Sequence, residues 1–154
     1  MTDRLTPEQR SFNMGQVRGR DTKPEMVVRR ALHGLGFRFR LHRRDLPGRP
    51  DIALPKWKTV VFVHGCFWHG HGCELFRWPA TRPEFWKTKI AGNVQRDREA
   101  VQRLLADGWR VVTIWECAIK GKARLAPEAL AKALGEAIRS DEVSVEVRGH
   151  RLQG

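Results

Sequence analysis

Apolar residues near the start of the chain recur at the spacing of a helix, and their neighbours predict where that helix begins. Residues 23–33 place valine, alanine and leucine on one side, which predicts an amphipathic helix. Thr22 and Glu25 have the spacing of a capping box, and Pro24 suits the first turn. The capping box by itself explains Glu25 as a structural residue.

Alternation of apolar and polar residues follows this helix and predicts strands. Residues 37–41 alternate apolar and basic side chains, as expected of a strand with one face in the core. After a turn at residues 46–50, residues 51–54 and 59–63 are predicted to be strands that pair as a central hairpin. The second of these is apolar enough to be buried on both faces.

The C-terminal half also mixes helix and strand patterns. Residues 64–83 are rich in glycine, histidine and proline, so we expect irregular structure there. Beyond them the pattern predicts a long helix over residues 85–106, a strand over 109–115, a last helix over 127–139 and then a weakly ordered tail. This order of elements predicts an α/β sandwich.

The net charge of the chain indicates a negatively charged partner. Its 154 residues include 29 lysines and arginines against 17 acidic residues, which gives a net charge of +12. Such a surface attracts polyanions, and nucleic acid is the leading candidate. We expect no membrane association, because no apolar run approaches the roughly 18 residues of a spanning helix. The first 20 residues lack the apolar segment of a secretion signal, so we expect a cytoplasmic protein.

Three cysteines and a histidine form a candidate metal site. Cys66, His71 and Cys73 lie close together in the irregular segment, and Cys117 follows a predicted strand. Three thiolates and one imidazole make a closed tetrahedral zinc set, which would pin this segment to the end of the strand. By spacing alone His69 could replace His71, and three unconnected thiols are the alternative.

An aspartate and two histidines form a candidate catalytic group. Asp51 opens a predicted strand, and the next strand runs into His64, with His69 shortly after. A carboxylate beside two histidines could hold a divalent ion and position a water for attack on phosphate. Taken singly, each residue is equally well explained as a strand entry or a loop residue. Their coincidence with a candidate zinc set and a basic chain favours nuclease chemistry.

Six segments along nearly the whole chain carry a resemblance to a known family. In order, they are NMGQVRGRDTKPE, LPGRPDIAL, VFVHGCFWHGHGC, FRWPATRPEFWKTKI, NVQRDR and GWRVVTIWEC. Together they resemble the very short patch repair endonucleases. The resemblance implies an α/β fold with a restriction-endonuclease-like core, a mixed central sheet flanked by helices, and a structural zinc site. It also implies a DNA-contacting arm over residues 1–20, an endonuclease domain over 21–140 and a C-terminal tail over 141–154.

The resemblance gives roles to the candidate catalytic residues. It implies that Asp51 binds catalytic Mg²⁺ and that the backbone carbonyl of Val63 is a second ligand. His69 is implied to be the general base, while His64 and Glu25 support the water and metal network. The usual nuclease pattern of a second acidic residue and a lysine after the strand aspartate is absent, since the strand ends at Val63 and His64.

The same resemblance divides the histidines between two sites. His71 matches a structural zinc ligand and His69 does not, a division that spacing leaves open. The segment HGHGC departs from the histidine run of the family but keeps the ligand positions. The implied Zn²⁺ ligands are Cys66, His71, Cys73 and Cys117.

Four apolar residues resemble those that enter DNA beside a mismatch. Phe67, Trp68 and Trp86 would form a wedge, and Met14 would enter from the opposite groove. An inserted wedge costs a few kcal/mol per base step, and a mispair is cheaper to disturb than a matched pair. Without the resemblance, core packing would explain these aromatics. The candidate phosphate contacts are Arg18, Arg20, Lys87, Lys89, Arg96 and Arg98.

The implied function is a Mg²⁺-dependent, strand-specific DNA endonuclease. It would nick double-stranded DNA 5′ to the thymine of a T:G mispair left by deamination of 5-methylcytosine. Accessory proteins of mismatch repair are further candidate partners, and a bacterial-type, nucleoid-associated monomer is expected. Two alternatives stay open: a non-catalytic, zinc-stabilised DNA-binding protein, whose mismatch binding would be salt-sensitive, and a restriction-type nuclease that cuts matched DNA.

Overall fold

The computed structural model describes residues 22–73 and 75–150, which form a mixed sheet and the helices around it. The helices of this part are α1 (Lys23–Gly34), α2 (Pro83–Ala106) and α3 (Pro127–Arg139). The strands are β1 (Arg40–Leu41), β2 (Ile52–Leu54), β3 (Thr59–His64), β4 (Arg110–Trp115) and β5 (Ser144–Val147). The predicted mixed α/β architecture is confirmed. None of the described helices is both long and apolar enough to cross a membrane.

The five strands lie in the sheet in chain order. β1, β2 and β3 are antiparallel neighbours, whereas β3, β4 and β5 are parallel. The hairpin predicted from residues 51–63 is confirmed, with Ile52 opposite Val61 and Leu54 opposite Thr59. Parallel neighbours need long connections, and α2 and α3 lie in the two that join β3 to β4 and β4 to β5. The C-terminal ends of β3 and β4 therefore meet at one edge of the sheet.

Alternate residues of the strands build two separate apolar layers. Ile52, Val61 and Ile114 face one layer, which also contains buried residues of α1 and α3 such as Leu32 and Leu134. The strand residues of the opposite parity, Ala53, Val60, Phe62 and Val111, pack with Leu104 of α2 and with Trp109. This three-layer arrangement explains why β3 is apolar at nearly every position, because both of its faces are covered.

The helix α1 begins as its sequence predicts. The Thr22 hydroxyl oxygen accepts a hydrogen bond from the Glu25 backbone N–H at 3.3 Å, and Pro24 lies in the first turn. The carboxylate of Glu25 is turned inward, since the residue is only 2% exposed. The capping position thus fixes where α1 begins but does not explain the buried acid of Glu25.

The strand predicted over residues 37–41 is wrong for its first half. Only Arg40 and Leu41 pair with β2, opposite Ala53 and Ile52. β2 itself ends at Leu54, because the next residue is a proline without a backbone N–H and begins a short 3₁₀ turn. Phe37 instead packs edge-on against Trp57 of that turn, with ring centroids 5.6 Å apart. Burial of the aromatic ring, rather than strand pairing, explains the apolar pattern there.

The expectation of a weakly ordered tail is wrong for residues 144–147, which form β5. Its backbone pairs with β4 in parallel, from Ser144 opposite Val111 to Val147 opposite Ile114. Val147 is buried in the layer beneath α3. A four-residue alternation beside acidic residues is a weak strand signal, and a distant partner strand supplies the stability.

Candidate active site and metal centre

Asp51 lies at the entrance to β2 and reaches across to β3. Its Oδ2 atom accepts a hydrogen bond from the backbone N–H of Val63 at 2.7 Å. Ligand atoms of Glu25, His42 and Asp51 lie within 4.8 Å of one another. Helix α1, the residue after β1 and the start of β2 therefore bring two carboxylates and an imidazole to one place.

Burial controls the charge of this group. Desolvation, together with the neighbouring Glu25, raises the pKa of Asp51 to about 7, although the Val63 N–H acts in the opposite direction. At neutral pH the ionised carboxylate is thus held at a cost in free energy. A cation bound between these acids would offset that cost, so the chemistry of the donors fits a divalent metal ion.

A second group of side chains follows directly along β3. His64, the last residue of the strand, stacks on His69 with ring centroids 3.7 Å apart and an angle of 5° between the planes. The Nδ1 atom of His69 lies 2.6 Å from Oδ2 of Asp97 on α2. Ligand atoms of these three residues also lie within 4.8 Å of one another. Because His64 follows Val63, the two groups meet at the end of β3.

The two stacked histidines differ in their environments. Burial, together with the neighbouring His69, lowers the pKa of His64 to about 3 although Asp97 acts in the opposite direction, so His64 is a neutral ring at physiological pH. His69 is partly exposed and bound to a carboxylate through Nδ1. With the Nδ1 proton donated to Asp97, the lone pair of His69 lies on Nε2, where it can accept a proton.

A third group contains all three cysteines of the chain. Ligand atoms of Cys66, His71, Cys73 and Cys117 lie within 4.8 Å of one another. The Nδ1 atom of His71 is 3.5 Å from Sγ of Cys66 and 3.7 Å from Sγ of Cys117. In a tetrahedral zinc site sulfur and nitrogen ligands lie about 3.6 Å apart, so these distances fit a zinc ion. The structure brings His71, and not His69, to the cysteines.

Neighbouring groups hold this cluster in place. The His71 ring stacks on Trp115 at 4.1 Å, and the backbone N–H of Gly149 donates to Sγ of Cys117 at 3.3 Å. A Cβ atom on Gly149 would lie 2.3 Å from the Cys117 carbonyl oxygen, so only glycine allows this approach. Burial raises the pKa values of the Cys66 and Cys117 thiols, and a bound cation would favour their thiolate forms.

Aromatic rings cover the surface beside these sites. Phe67, Trp68 and Trp86 contact one another, with ring centroids 5.1–5.8 Å apart. Asn93 on α2 donates a hydrogen bond to the Trp68 carbonyl oxygen at 2.8 Å, which fixes the loop to the helix. Phe85, next to Trp86, is 43% exposed. The three predicted wedge residues therefore form one cluster that solvent can reach.

Asp97 and His42, two residues of the candidate metal-binding groups, were not predicted from the sequence. Asp97 lies within a long charged helix, where it resembles any solvated acid, and His42 lies in a basic loop. The segment NVQRDR contains Asp97, but only the fold shows which face of α2 meets His69. Met14, Arg18 and Arg20 lie outside the described residues.

Comparison with known proteins places the chain in a family. A family model described as DNA mismatch endonuclease Vsr matches residues 2–75. The DNA mismatch endonuclease Vsr of Escherichia coli strain K12 is 46% identical over 138 residues, which are 90% of this chain and 88% of that protein. The chain belongs to the Vsr family of DNA mismatch endonucleases.

Other relatives of this Vsr-family chain are named as nicking enzymes. The type II nicking enzyme V.XorIIP of Xanthomonas oryzae pv. oryzae is 54% identical over 117 residues, covering 76% of this chain and 86% of that protein. V.NmeAIP of Neisseria meningitidis, also a type II nicking enzyme, is 45% identical over 123 residues, covering 80% and 88%. The segment matched by the Vsr family model contains Asp51, His64 and His69. Asp97 and Cys117 come from beyond it: Asp97 contacts His69, and Cys117 lies beside His71 in the cysteine cluster.

Proposed function

We propose that this chain is a DNA mismatch endonuclease that nicks one strand 5′ to the thymine of a T:G mispair. One observation carries the proposal: the carboxylate of Asp51 and the imidazole of His69 flank the same end of β3, through Val63 and His64. A metal-binding acid beside a proton acceptor is what hydrolysis of a phosphodiester needs. The names of the relatives, which are mismatch or nicking endonucleases, support the same activity.

Asp51 and the carbonyl oxygen of Val63 are the proposed magnesium ligands. In a strand, the N–H and C=O groups of one residue point to the same edge; the Val63 N–H is bonded to Asp51, so its carbonyl is directed to the same side. These are oxygen donors, which Mg²⁺ prefers. A magnesium ion bound there would neutralise charge on the scissile phosphate and lower the pKa of a bound water.

His69 is the proposed general base. Asp97 holds the ring through Nδ1, which leaves Nε2 free to take a proton from water. His64 stays neutral and, stacked at 3.7 Å, limits rotation of the His69 ring. Asp97 is thus a positioning residue that fixes both the tautomer and the direction of the base.

Asparagine at position 97 should lower the nicking rate because it no longer favours the correct His69 tautomer. We expect Asp97→Asn to reduce kcat by roughly 10²–10⁴-fold with little change in DNA affinity. Single-turnover nicking and a binding titration measure the two quantities. Asp107→Asn is the matched control, since Asp107 is exposed beyond the end of the same helix. A kcat within twofold of the unmodified protein would remove the proposed role of Asp97.

The metal of the cysteine cluster is proposed to be a structural zinc ion. Its ligands come from the loop after β3 and from the end of β4, so the ion would tie the two together. His69 lies in that loop, two positions before the ligand His71. Zinc is therefore proposed to hold the general base in position without taking part in hydrolysis.

The aromatic cluster is the proposed wedge at the mismatch. Partly exposed Phe67, Trp68 and Trp86 lie beside the proposed active site, where they could stack between base pairs. Lys87, Arg96 and Arg98 are exposed on α2 and are candidate phosphate contacts. Residues 1–20, with Met14, are proposed to act as a DNA-contacting arm. The arrangement supports a preference for duplexes that are easy to unstack.

The remaining features of the proposal follow from the family. The core is proposed to be restriction-endonuclease-like, because a hairpin with an acidic residue at its start lies next to parallel strands. A T:G pair made by deamination of 5-methylcytosine is the proposed substrate in the bacterial cytoplasm. A monomer is proposed, with accessory repair proteins as candidate partners.

A labelled duplex with one T:G pair tests the function. With Mg²⁺, the protein should cut only the thymine strand, at one position 5′ to the mispaired base, and should leave a T:A duplex of the same sequence largely intact. Gel electrophoresis under denaturing conditions resolves the products. Salt-sensitive binding without a cut would indicate a non-catalytic DNA-binding protein, and equal cutting of both duplexes would indicate a restriction-type nuclease.

A further inference from the structure

Arg29 places its guanidinium group among the residues that surround Asp51. The Nη2 atom lies 2.5 Å from Oε2 of Glu25 and 3.0 Å from Nε2 of His42. The Nη1 atom contacts the Met26 sulfur at 3.2 Å, which helps to hold the group in this position. One nitrogen of Arg29 therefore contacts ligand atoms of two of the three residues that could bind a metal ion at this site.

The positive charge of Arg29 stabilises the negative charges of Glu25 and Asp51. Glu25 is 2% exposed and lies beside Asp51, which is partly buried, so two acids share a site with limited access to water. Arg29 lies four residues after Glu25 on α1 and is itself only 14% exposed. Its charge favours ionisation of Asp51 and pairs directly with Glu25. In the absence of a metal ion, Arg29 supplies the cation that these acids require.

The ligand atoms of Glu25 and His42 cannot bind the Arg29 guanidinium and a divalent metal ion at the same time. Nε2 of a neutral imidazole has one lone pair, and at 3.0 Å it accepts the Arg29 N–H. A divalent ion bound by Glu25 and His42 would also lie within a few ångströms of the guanidinium charge, which is strongly unfavourable at low dielectric. We propose that Arg29 competes with the divalent metal ion for Glu25 and His42, so that an ion held by Asp51 and the Val63 carbonyl requires Arg29 to withdraw from these two neighbouring residues.

This inference rests on the proposed metal site at Asp51 and adds a consequence for the choice of ion. With His42 released, the site offers two carboxylates and one imidazole nitrogen. Nitrogen ligands favour Mn²⁺ and later transition ions relative to Mg²⁺, which prefers oxygen. When Arg29 withdraws, the two carboxylates and the imidazole nitrogen therefore form a ligand set that suits a softer ion than magnesium.

Removal of the competing charge should tighten metal binding. Mn²⁺ is titrated into the zinc-loaded protein and followed by electron paramagnetic resonance, with Asp51→Asn defining binding elsewhere. We expect Arg29→Met to bind Mn²⁺ at least about tenfold more tightly, because a unit charge close to a dication is worth more than that factor. Arg30→Met, an exposed neighbour on α1, should change the affinity by less than about twofold. Unchanged or weaker binding to Arg29→Met would overturn the proposal.

A measurement on the unmodified protein covers the case in which Arg29→Met does not fold. In nuclear magnetic resonance spectra with Mg²⁺, the Arg29 side-chain N–H signal should shift in step with occupancy of the site, while that of Arg30 stays in place. A stationary Arg29 signal at saturating Mg²⁺ would contradict the proposal. Nicking of the T:G duplex is measured separately. If the protein nicks normally but neither the Mn²⁺ affinity nor the Arg29 signal changes as expected, only the competition between Arg29 and the metal ion is refuted, and the proposed function stands.

Discussion

Replacement of Asp51 with asparagine should abolish nicking while leaving the affinity for mismatched duplex nearly unchanged. The asparagine keeps the size of the side chain and can still accept the Val63 N–H bond, but it removes the charge that would hold magnesium. We expect the nicking rate to fall by at least about 10³-fold, since no other described carboxylate is bonded to the backbone of β3 in this way. Single-turnover assays at saturating protein measure this loss.

A surface aspartate provides the control for this experiment. Asp45 is 62% exposed and is paired with Arg43 at 2.7 Å, away from any of the three candidate metal-binding groups. Asp45→Asn should therefore nick at the normal rate. Residual activity of Asp51→Asn within tenfold of the unmodified protein would show that another group holds the metal.

The same substitution should stabilise the metal-free protein above neutral pH. Burial raises the pKa of Asp51 to about 7, above the value near 4 of an unfolded chain. The stability contributed by this group is thus fully present below about pH 4 and is lost as the pH rises through 7. Asparagine has no proton to lose, so metal-free Asp51→Asn should be more stable at pH 8, by on the order of a few kcal/mol. Thermal unfolding with a magnesium chelator, at pH 5 and pH 8, measures the difference.

Local patterns in the sequence predicted most helices and the central hairpin. The helix expected over residues 127–139 is found at Pro127–Arg139, because its apolar residues recur at helical spacing beside a proline that suits the first turn. The long helix begins at Pro83, two residues before the predicted start, for the same reason. By contrast, β5 depends on hydrogen bonds to β4, a partner far away in the chain. Such pairing leaves little trace in four residues.

Site residues that are close in sequence could likewise be predicted, whereas those that meet only through the fold could not. Cys66 and Cys73 are close in sequence to two histidines, so a metal site there could be predicted from spacing, although spacing did not decide between His69 and His71. His42 reaches Asp51 only because the end of β1 is paired with the start of β2, and its N–H donates to the Asp51 carbonyl at 3.0 Å. Asp97 reaches His69 across an interval of 28 residues. Neither contact follows from periodicity or charge.

Loss of one proposed zinc ligand should unfold the loop that contains His69, the proposed general base. Cys73→Ala removes one of three thiolates from the cluster, and apparent free energies of about 10–16 kcal/mol for structural zinc sites exceed the whole stability of many domains. We expect the zinc content to fall from one ion per chain to none, with loss of cooperative thermal unfolding. Elemental analysis and calorimetry of the purified protein measure both results, and a strong chelator should reproduce them with the unmodified chain.

The variant His69→Ala distinguishes loss of nicking activity from loss of folded structure. His69 lies in the same loop but contacts Asp97 and His64 rather than the cysteines, so this variant should keep its zinc and its melting temperature while nicking stops. The two variants therefore differ in what they lose, although their altered residues are only four positions apart. Zinc retained by Cys73→Ala would show that Cys73 is not a required ligand, whereas a fully folded protein without zinc would show that packing of Cys66 and Cys117 against Trp115 is sufficient to hold the loop. Such a result would remove the metal from the explanation of how the general base is positioned.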